Sequence, residues 1–390
     1  MYLPPIYNGR MKGRFLVLST GLAMFSMFFG SGNLVFPLVV GQMSGAHFGW
    51  ASLGILITGV LVPFLGILAM MLFDGNSHTF FARFGKPATF WFPLVALSLM
   101  GPFGVLARCI TVAHGAFRLL IPETPLWLFS ALSCIFIFFL TIQKRRIVPI
   151  LGSLLTPVLL LSLAAIAFFG LTSKPLPVSA TLAGWESFKT GIFQGYQTMD
   201  LLAAFFFSAF VIKHLKDQSA AEGHGTLSTF LKSALVGASL LASIYCILVL
   251  LGAMYAPQIA SLPPQEMLGF IAEQALGPMA APIVAIAVIL ACLTTAIVLA
   301  ALFADFLRKE VVKDAIDNRF AILTTLIIAF STSILGFSGI AKILGPILEV
   351  IYPALIVLTV LSIFQKLWGW NVIRIPTAIA LVLKLLTHAI

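Results

Sequence analysis

From Phe15 to Gly41 the chain runs 27 residues without a charge, and Gly30-Ser31-Gly32-Asn33 interrupts the run near its middle. A continuous helix of that length would reach about 40 Å, more than the roughly 30 Å hydrocarbon core of a bilayer requires. Two glycines and an asparagine at mid-depth do not suit a helix that only spans, because each unpaired backbone group in lipid costs several kcal/mol. Broken backbone is tolerated there when it lines a protein-buried or water-filled cavity, and half-helix ends make good ion and substrate sites. The interruption therefore predicts a transporter-like centre. A kinked contact segment is the plainer alternative, since small residues four apart are common where membrane helices touch.

Composition agrees with a chain that lives in the bilayer. Sixty per cent of the residues are hydrophobic and nine per cent charged, and the mean hydropathy of +1.09 excludes a soluble domain. Cys109, Cys134, Cys246 and Cys292 lie inside apolar runs, with neither metal-ligand nor disulfide-framework spacing. The net charge of +10 sits in short basic clusters between apolar stretches, which argues for membrane topology and against a nucleic-acid partner. The first apolar run is too long for a signal peptide and lacks a small-residue cleavage motif.

Eleven apolar spans are expected, near 15–41, 50–73, 88–120, 126–143, 147–171, 188–212, 230–254, 281–307, 320–337, 343–364 and 371–388. The third is longer than a simple crossing and predicts a tilted helix. With the N-terminus in the cytoplasm, 17 Lys and Arg fall in inner loops and 5 in outer ones, and Arg108 falls within a span. That asymmetry supports an N-in, multi-pass protein of about 11 transmembrane helices. No hydrophilic stretch is long enough for a second domain, so residues 1–390 read as a single transmembrane domain.

Span six carries a second interruption, Gln194-Gly195-Tyr196-Gln197-Thr198-Met199-Asp200. Spans one and six start five spans apart. Since five is odd, the half at about 188–364 enters the membrane from the side opposite to the half at about 15–171, with an extra helix at about 371–388. Two breaks at matching positions of two inverted halves point to a transporter site. The repeat rests on hydropathy and breaks alone, without residue-level similarity between the halves. In span eight, Ala291, Thr294 and Thr295 share a helix face and offer a carbonyl and two hydroxyls. Oxygen-only donors suit a hard cation such as Na⁺, although intramembrane threonine ordinarily bonds back to its own helix. Asp200 is a carboxylate at mid-membrane, where a charge costs at least ~2.5 kcal/mol and is functional by default. It predicts pairing with a substrate ammonium, a cation or a proton; a structural ion pair with Arg108 is the alternative.

These segments resemble a known family. Ser26-Met27-Phe28-Phe29-Gly30-Ser31-Gly32-Asn33-Leu34-Val35-Phe36-Pro37 is similar to the "FFGAGNLIFP" signature of the bacterial branched-chain amino acid:cation symporters, the BrnQ-type carriers. Gly195–Asp200, Ala291–Ala296 and Glu349-Val350-Ile351-Tyr352-Pro353-Ala354 look like the same family in the same order, over roughly residues 14–364. The resemblance implies an all-α multi-pass membrane protein of the amino acid/polyamine/cation superfamily, with a LeuT-like 5+5 inverted repeat and broken helices 1 and 6. It implies import of Leu, Ile and Val across the bacterial inner membrane by symport with Na⁺, by alternating access and without a cofactor.

Carried over by position, the resemblance implies a substrate site at Gly30, Ser31, Gly32, Asn33, Gly195, Thr198 and Asp200, with the N–H groups of Ser31 and Gly32 receiving the substrate carboxylate. It implies a Na⁺ site at Ser26, Phe29, Ala291, Thr294 and Thr295. Asn33 would serve a second cation or hold the unwound turn. Glu349 departs from the family, which tends to have a small polar residue there, and leaves H⁺ as an alternative coupling ion. The family usually has a twelfth helix, so a chain ending after the eleventh would place its C-terminus outside. Zinc-ligand spacings, nucleophile triads, paired carboxylates at one depth and nucleotide-binding motifs are missing, which argues against an enzyme or a primary pump. An H⁺-coupled carrier of other small apolar amino acids and a transporter-derived channel or sensor are the remaining alternatives. The partners implied are a small-molecule substrate and lipid, with the oligomeric state open.

Overall fold

The computed structural model describes residues 13–142, 144–173, 179, 182–222, 226–277, 281–369 and 372–389, and the regular structure among them is helical throughout. The basic residues expected at 10, 12 and 174 lie outside the described residues. The principal helices are α1 (Gly13–Phe28), α2 (Ser31–Ser44), α3 (Phe48–Leu56), α4 (Val62–Leu72), α5 (Ala88–Met100), α6 (Val105–Phe117), α7 (Leu126–Ile142) and α8 (Lys144–Ser173). After them come α9 (Gly184–Gln197), α10 (Asp200–Glu222), α11 (Thr226–Met254), α12 (Met267–Leu276), α13 (Ala281–Phe306), α14 (Asn318–Ser333), α15 (Gly336–Trp368) and α16 (Arg374–Ala389). Each expected apolar stretch is mainly helical over its described residues, with the breaks set out below. Five segments are long and apolar enough to cross a membrane by themselves, with shorter apolar helices at Phe15–Phe28, Leu126–Ile142 and Val158–Ser173.

Helices α1 to α4 and α9 to α11 pack on one another as one group, and α6, α7, α13 and α14 as a second, with α8 lying against α13. Glycines set the closest approaches in the first group. A methyl at Gly41 on α2 would collide with the Val249 carbonyl on α11, and one at Gly54 on α3 with the Phe188 carbonyl on α9. With little hydrophobic drive between helices in lipid, such contacts supply much of the association.

The third stretch is broken rather than simply tilted. Gly101-Pro102-Phe103-Gly104 separates α5 from α6, and Gly101 N–H still donates to Leu97 O at 2.7 Å while Leu106 N–H reaches back to Gly101 O at 3.2 Å. Pro102 has no N–H to give the ladder. Side chains at 101 and 104 would strike the carbonyls of Leu97 and Leu99, so both positions need glycine. The length of the stretch comes from two helices, not from one long inclined rod.

Candidate substrate and ion site

The break in the first stretch falls at Phe29–Gly30. Phe29 N–H closes the last turn of α1 onto Phe25 O at 3.0 Å, and Gly30 is extended, with φ −122° and ψ −165°. The Asn33 Oδ1 accepts from Gly30 N–H at 3.2 Å and so holds the turn that starts α2. Of the two roles expected for Asn33, this is the backbone one. Its amide group faces the other way and donates to Asp200 Oδ2 at 2.7 Å and to Tyr245 OH at 2.5 Å. The Tyr245 hydroxyl in turn donates to Asp200 Oδ2 at 3.1 Å. Asn33, Asp200 and Tyr245 are all buried, joining the two breaks to α11.

The second break falls at Thr198–Met199. Met199 has φ +60°, a conformation a long side chain rarely adopts, and it is fully buried. Left-handed non-glycine residues cost about 1–3 kcal/mol and collect at functional sites. Thr198 Oγ1 donates to Gly195 O at 2.8 Å, which closes α9 and lets Asp200 begin α10. The two breaks meet directly: a methyl on Gly32 would lie 3.3 Å from the Thr198 Cα and 3.3 Å from the Phe36 ring. Gly195, by contrast, faces α3 and the helical turn after it, where a side chain would collide with Thr58. Its missing side chain thus serves a close helix approach.

Helix α13 comes alongside the first break. The Thr295 methyl lies 3.8 Å from where a Gly30 side chain would begin. Thr294 Oγ1 and Thr295 Oγ1 both donate to Ala291 O, at 2.8 and 3.1 Å, and Ser26 Oγ donates to Ala23 O at 3.1 Å. These are the local back-bonds that a helix offers a hydroxyl in any case, and each oxygen keeps lone pairs for a cation. Phe29 is buried at the end of α1. Of the five expected cation donors, Ser26 and Phe29 lie at the end of α1 and Thr295 lies against the break, with Ala291 and Thr294 on the same α13 turn as Thr295.

Two groups were not legible as partners. Tyr245 sits in an apolar run like any core aromatic, and only its hydroxyl, needing a partner when buried, hinted at a role. Arg108 does not pair with Asp200. Its Nη1 and Nη2 donate to Gln197 O and Oε1 at 2.7 and 2.6 Å. His114, further along α6, bonds Thr124 O at 2.8 Å.

Comparison with known proteins decides the family. The family described as "Branched-chain amino acid transport protein" matches residues 14–389. The chain belongs to that family. Its curated relatives include the branched-chain amino acid permease BrnQ of Lactobacillus delbrueckii subsp. lactis, 29% identical, with 93% of this chain and 84% of the relative covered. BrnQ of Corynebacterium glutamicum is 30% identical over 90% of this chain and 81% of its own length. Among solved structures, a manganese transporter of Eremococcus coleocola superposes with a TM-score of 0.57 at 14% identity, covering 97% of this chain and 87% of that one. That likeness shows a shared transporter fold alone. This branched-chain amino acid carrier is therefore a multi-pass transporter rather than an enzyme.

In the carrier, Tyr245→Phe removes one of the two donors on Asp200 and leaves its ring in place. Leucine affinity is expected to fall roughly three- to tenfold, the size of the net contribution of one ordinary hydrogen bond, about 0.5–1.5 kcal/mol. Binding titration on purified Tyr245→Phe protein measures it, and an unchanged affinity would take Tyr245 out of the site.

Proposed function

We propose that the carrier imports Leu, Ile and Val across the bacterial cytoplasmic membrane by Na⁺ symport, alternating access around the two breaks. The observation that carries this reading is the direct contact of Gly32 with Thr198, which brings the first turn of α2 against the break between α9 and α10. On this reading the substrate carboxylate rests on the N–H groups of Ser31 and Gly32, since a helix N-terminus favours an anion. The ammonium rests near Asp200. Na⁺ sits among the carbonyls of Ser26, Phe29 and Ala291 and the hydroxyls of Thr294 and Thr295. The 5+5 inverted repeat, some eleven crossings and a cytoplasmic N-terminus complete the proposal. It is supported by the matching places of the breaks, the division of helices into two packed groups and the basic inner loops.

One observation favours a second coupling ion. Asp200 receives hydrogen bonds from the neutral groups Asn33 and Tyr245, and no described Lys, Arg or His forms an ion pair with it. A buried carboxylate held this way is a natural carrier of H⁺. Uptake of labelled Leu, Ile, Val and Ala into proteoliposomes, with Na⁺ and pH gradients imposed separately, decides between the two. Equilibration without accumulation under either gradient would replace the symporter with a passive pathway.

The Na⁺ assignment has its own test. Thr294→Val and Thr295→Val each remove an oxygen while keeping the shape, and each is expected to raise the Na⁺ concentration for half-maximal uptake several-fold. If neither shifts it, the ion binds elsewhere or is a proton.

A further inference from the structure

Arg108 on α6 is the largest fully buried charged side chain of the described residues, and no carboxylate among them pairs with it. A buried, uncompensated ion costs several kcal/mol in proteins, so its surroundings should explain it. They do so only in part. Two nitrogens are spent on Gln197, through the last carbonyl of α9 and the amide oxygen, at 2.7 and 2.6 Å. The carbonyl end of a helix carries partial negative charge, so this contact caps α9. The guanidinium carbon lies 5.1 Å from the Phe36 ring centre on α2 and 5.7 Å from that of Phe337 on α15. The Nε is buried with no hydrogen-bond partner. The guanidinium thus spans four elements with its Nε unpartnered and a neutral amide where an anion would bind better.

Its position relates it to the substrate path. The neighbouring Cys109 Sγ donates to Ser31 Oγ at 3.4 Å, so α6 runs beside the N-terminus of α2. Phe36, under the guanidinium, is five residues further along α2, about 7.5 Å along the axis. Gln197 is the last residue of the half-helix that ends at the second break, and its Nε2 donates to Ala341 O of α15 at 3.4 Å. One contact thus joins the half-helix α9 to both α6 and α15.

We propose that Arg108 is a carboxylate-reading latch. In the arrangement seen it fastens α9 through Gln197; the carboxylate of the arriving amino acid takes the place of the Gln197 side chain, forms the two-point pair that an amide cannot, and breaks the Gln197–Ala341 link between α9 and α15. The remaining lone pairs of that carboxylate accept from the Ser31 and Gly32 N–H groups, across the Phe36 ring that touches both Gly32 and the guanidinium. Arg108 is then a specificity residue that rejects amino-acid derivatives lacking the negative charge. The inference rests on the amino-acid transport reading above, deepens its substrate site and adds no new substrate.

The test is competition binding on the purified carrier, with leucine and leucinamide displacing labelled leucine. Leucinamide keeps the ammonium and side chain and lacks the carboxylate. The wild type should prefer leucine strongly, and Arg108→Gln should cut that preference roughly tenfold, through loss of leucine affinity with leucinamide little changed. Gln197→Ala, which removes only the amide competitor, should keep the preference. If Arg108→Gln weakens both ligands equally, or leaves the preference intact, Arg108 only caps α9 and the proposal falls. If Arg108→Gln does not fold, Arg108→Lys serves, since it keeps the charge without the fork: preference should fall roughly threefold, and an unchanged preference overturns the latch. A wild type that binds no leucine at all would sink the transport reading instead, a distinguishable failure.

Discussion

Asp200→Asn is expected to reduce leucine binding and uptake by more than about tenfold while the protein still folds. The substitution keeps volume and keeps an oxygen that can accept from Asn33 and Tyr245, the two donors on Oδ2. What it removes is the charge, and a charge-assisted hydrogen bond contributes ~1.5–3 kcal/mol, against 1.4 kcal/mol for a factor of ten. A purely structural role would show differently. With Arg108 engaged by Gln197, no buried ion pair is broken by the change. Thermal stability should fall little, and Arg108→Leu should not rescue Asp200→Asn. Normal leucine and Na⁺ affinity in folded Asp200→Asn protein would make Asp200 scaffold.

Gly32→Leu is expected to abolish uptake, with insertion into the membrane retained. The reason is crowding between the two breaks. The first carbon of a side chain would already sit 3.3 Å from the Thr198 Cα and from the Phe36 ring, tighter than ordinary van der Waals contact, and leucine adds three more carbons. Backbone atoms of two half-helices cannot yield as a side-chain tip can, so α2 and the α9–α10 break must separate. Overpacking of this kind costs about 1–3 kcal/mol, and here it falls where α2 presents its free N–H groups. Near-normal leucine affinity in Gly32→Leu would remove the contact from the site. Measuring expression and binding on the same preparation separates loss of site from loss of fold.

Much of this architecture was legible because lipid punishes irregular backbone. A glycine pair with an asparagine at Gly30–Asn33 and a glycine followed by a carboxylate at Gly195–Asp200 stand out in apolar runs, and the helices stop within a few residues of both. The third stretch was harder. Gly101-Pro102-Phe103-Gly104 carries the same punctuation, but length alone was read there, and tilt explains length as well as a break does. Partners across space were mostly hidden. Nothing in periodicity says that Tyr245, 45 residues on, reaches Asp200, or that Arg108 prefers a helix end to the carboxylate. Gly195 shows the limit from the other side. The resemblance implied Gly195 in the substrate site by position alone, and nothing in the sequence says that Thr58 would lie where its side chain would begin.

The two breaks also decide how the centre is charged. Helix α2 starts at Ser31 and α10 at Asp200 itself, and Asn33 in the first turn of α2 touches that carboxylate. The positive ends of two half-helices, each worth about half an elementary charge, therefore lie near one negative group. An ionised Asp200 is matched by backbone, where a lysine or arginine would otherwise be required. No side-chain ion pair at Asp200 has to be torn apart for the breaks to move, and the buried Arg108 beside the second break is the side-chain charge left without a carboxylate among the described residues. On the symport reading proposed above, voltage, which acts on a unit charge with about 2.3 kcal/mol per 100 mV, would press on the step that carries the cation inward and on any movement of Arg108 across the field.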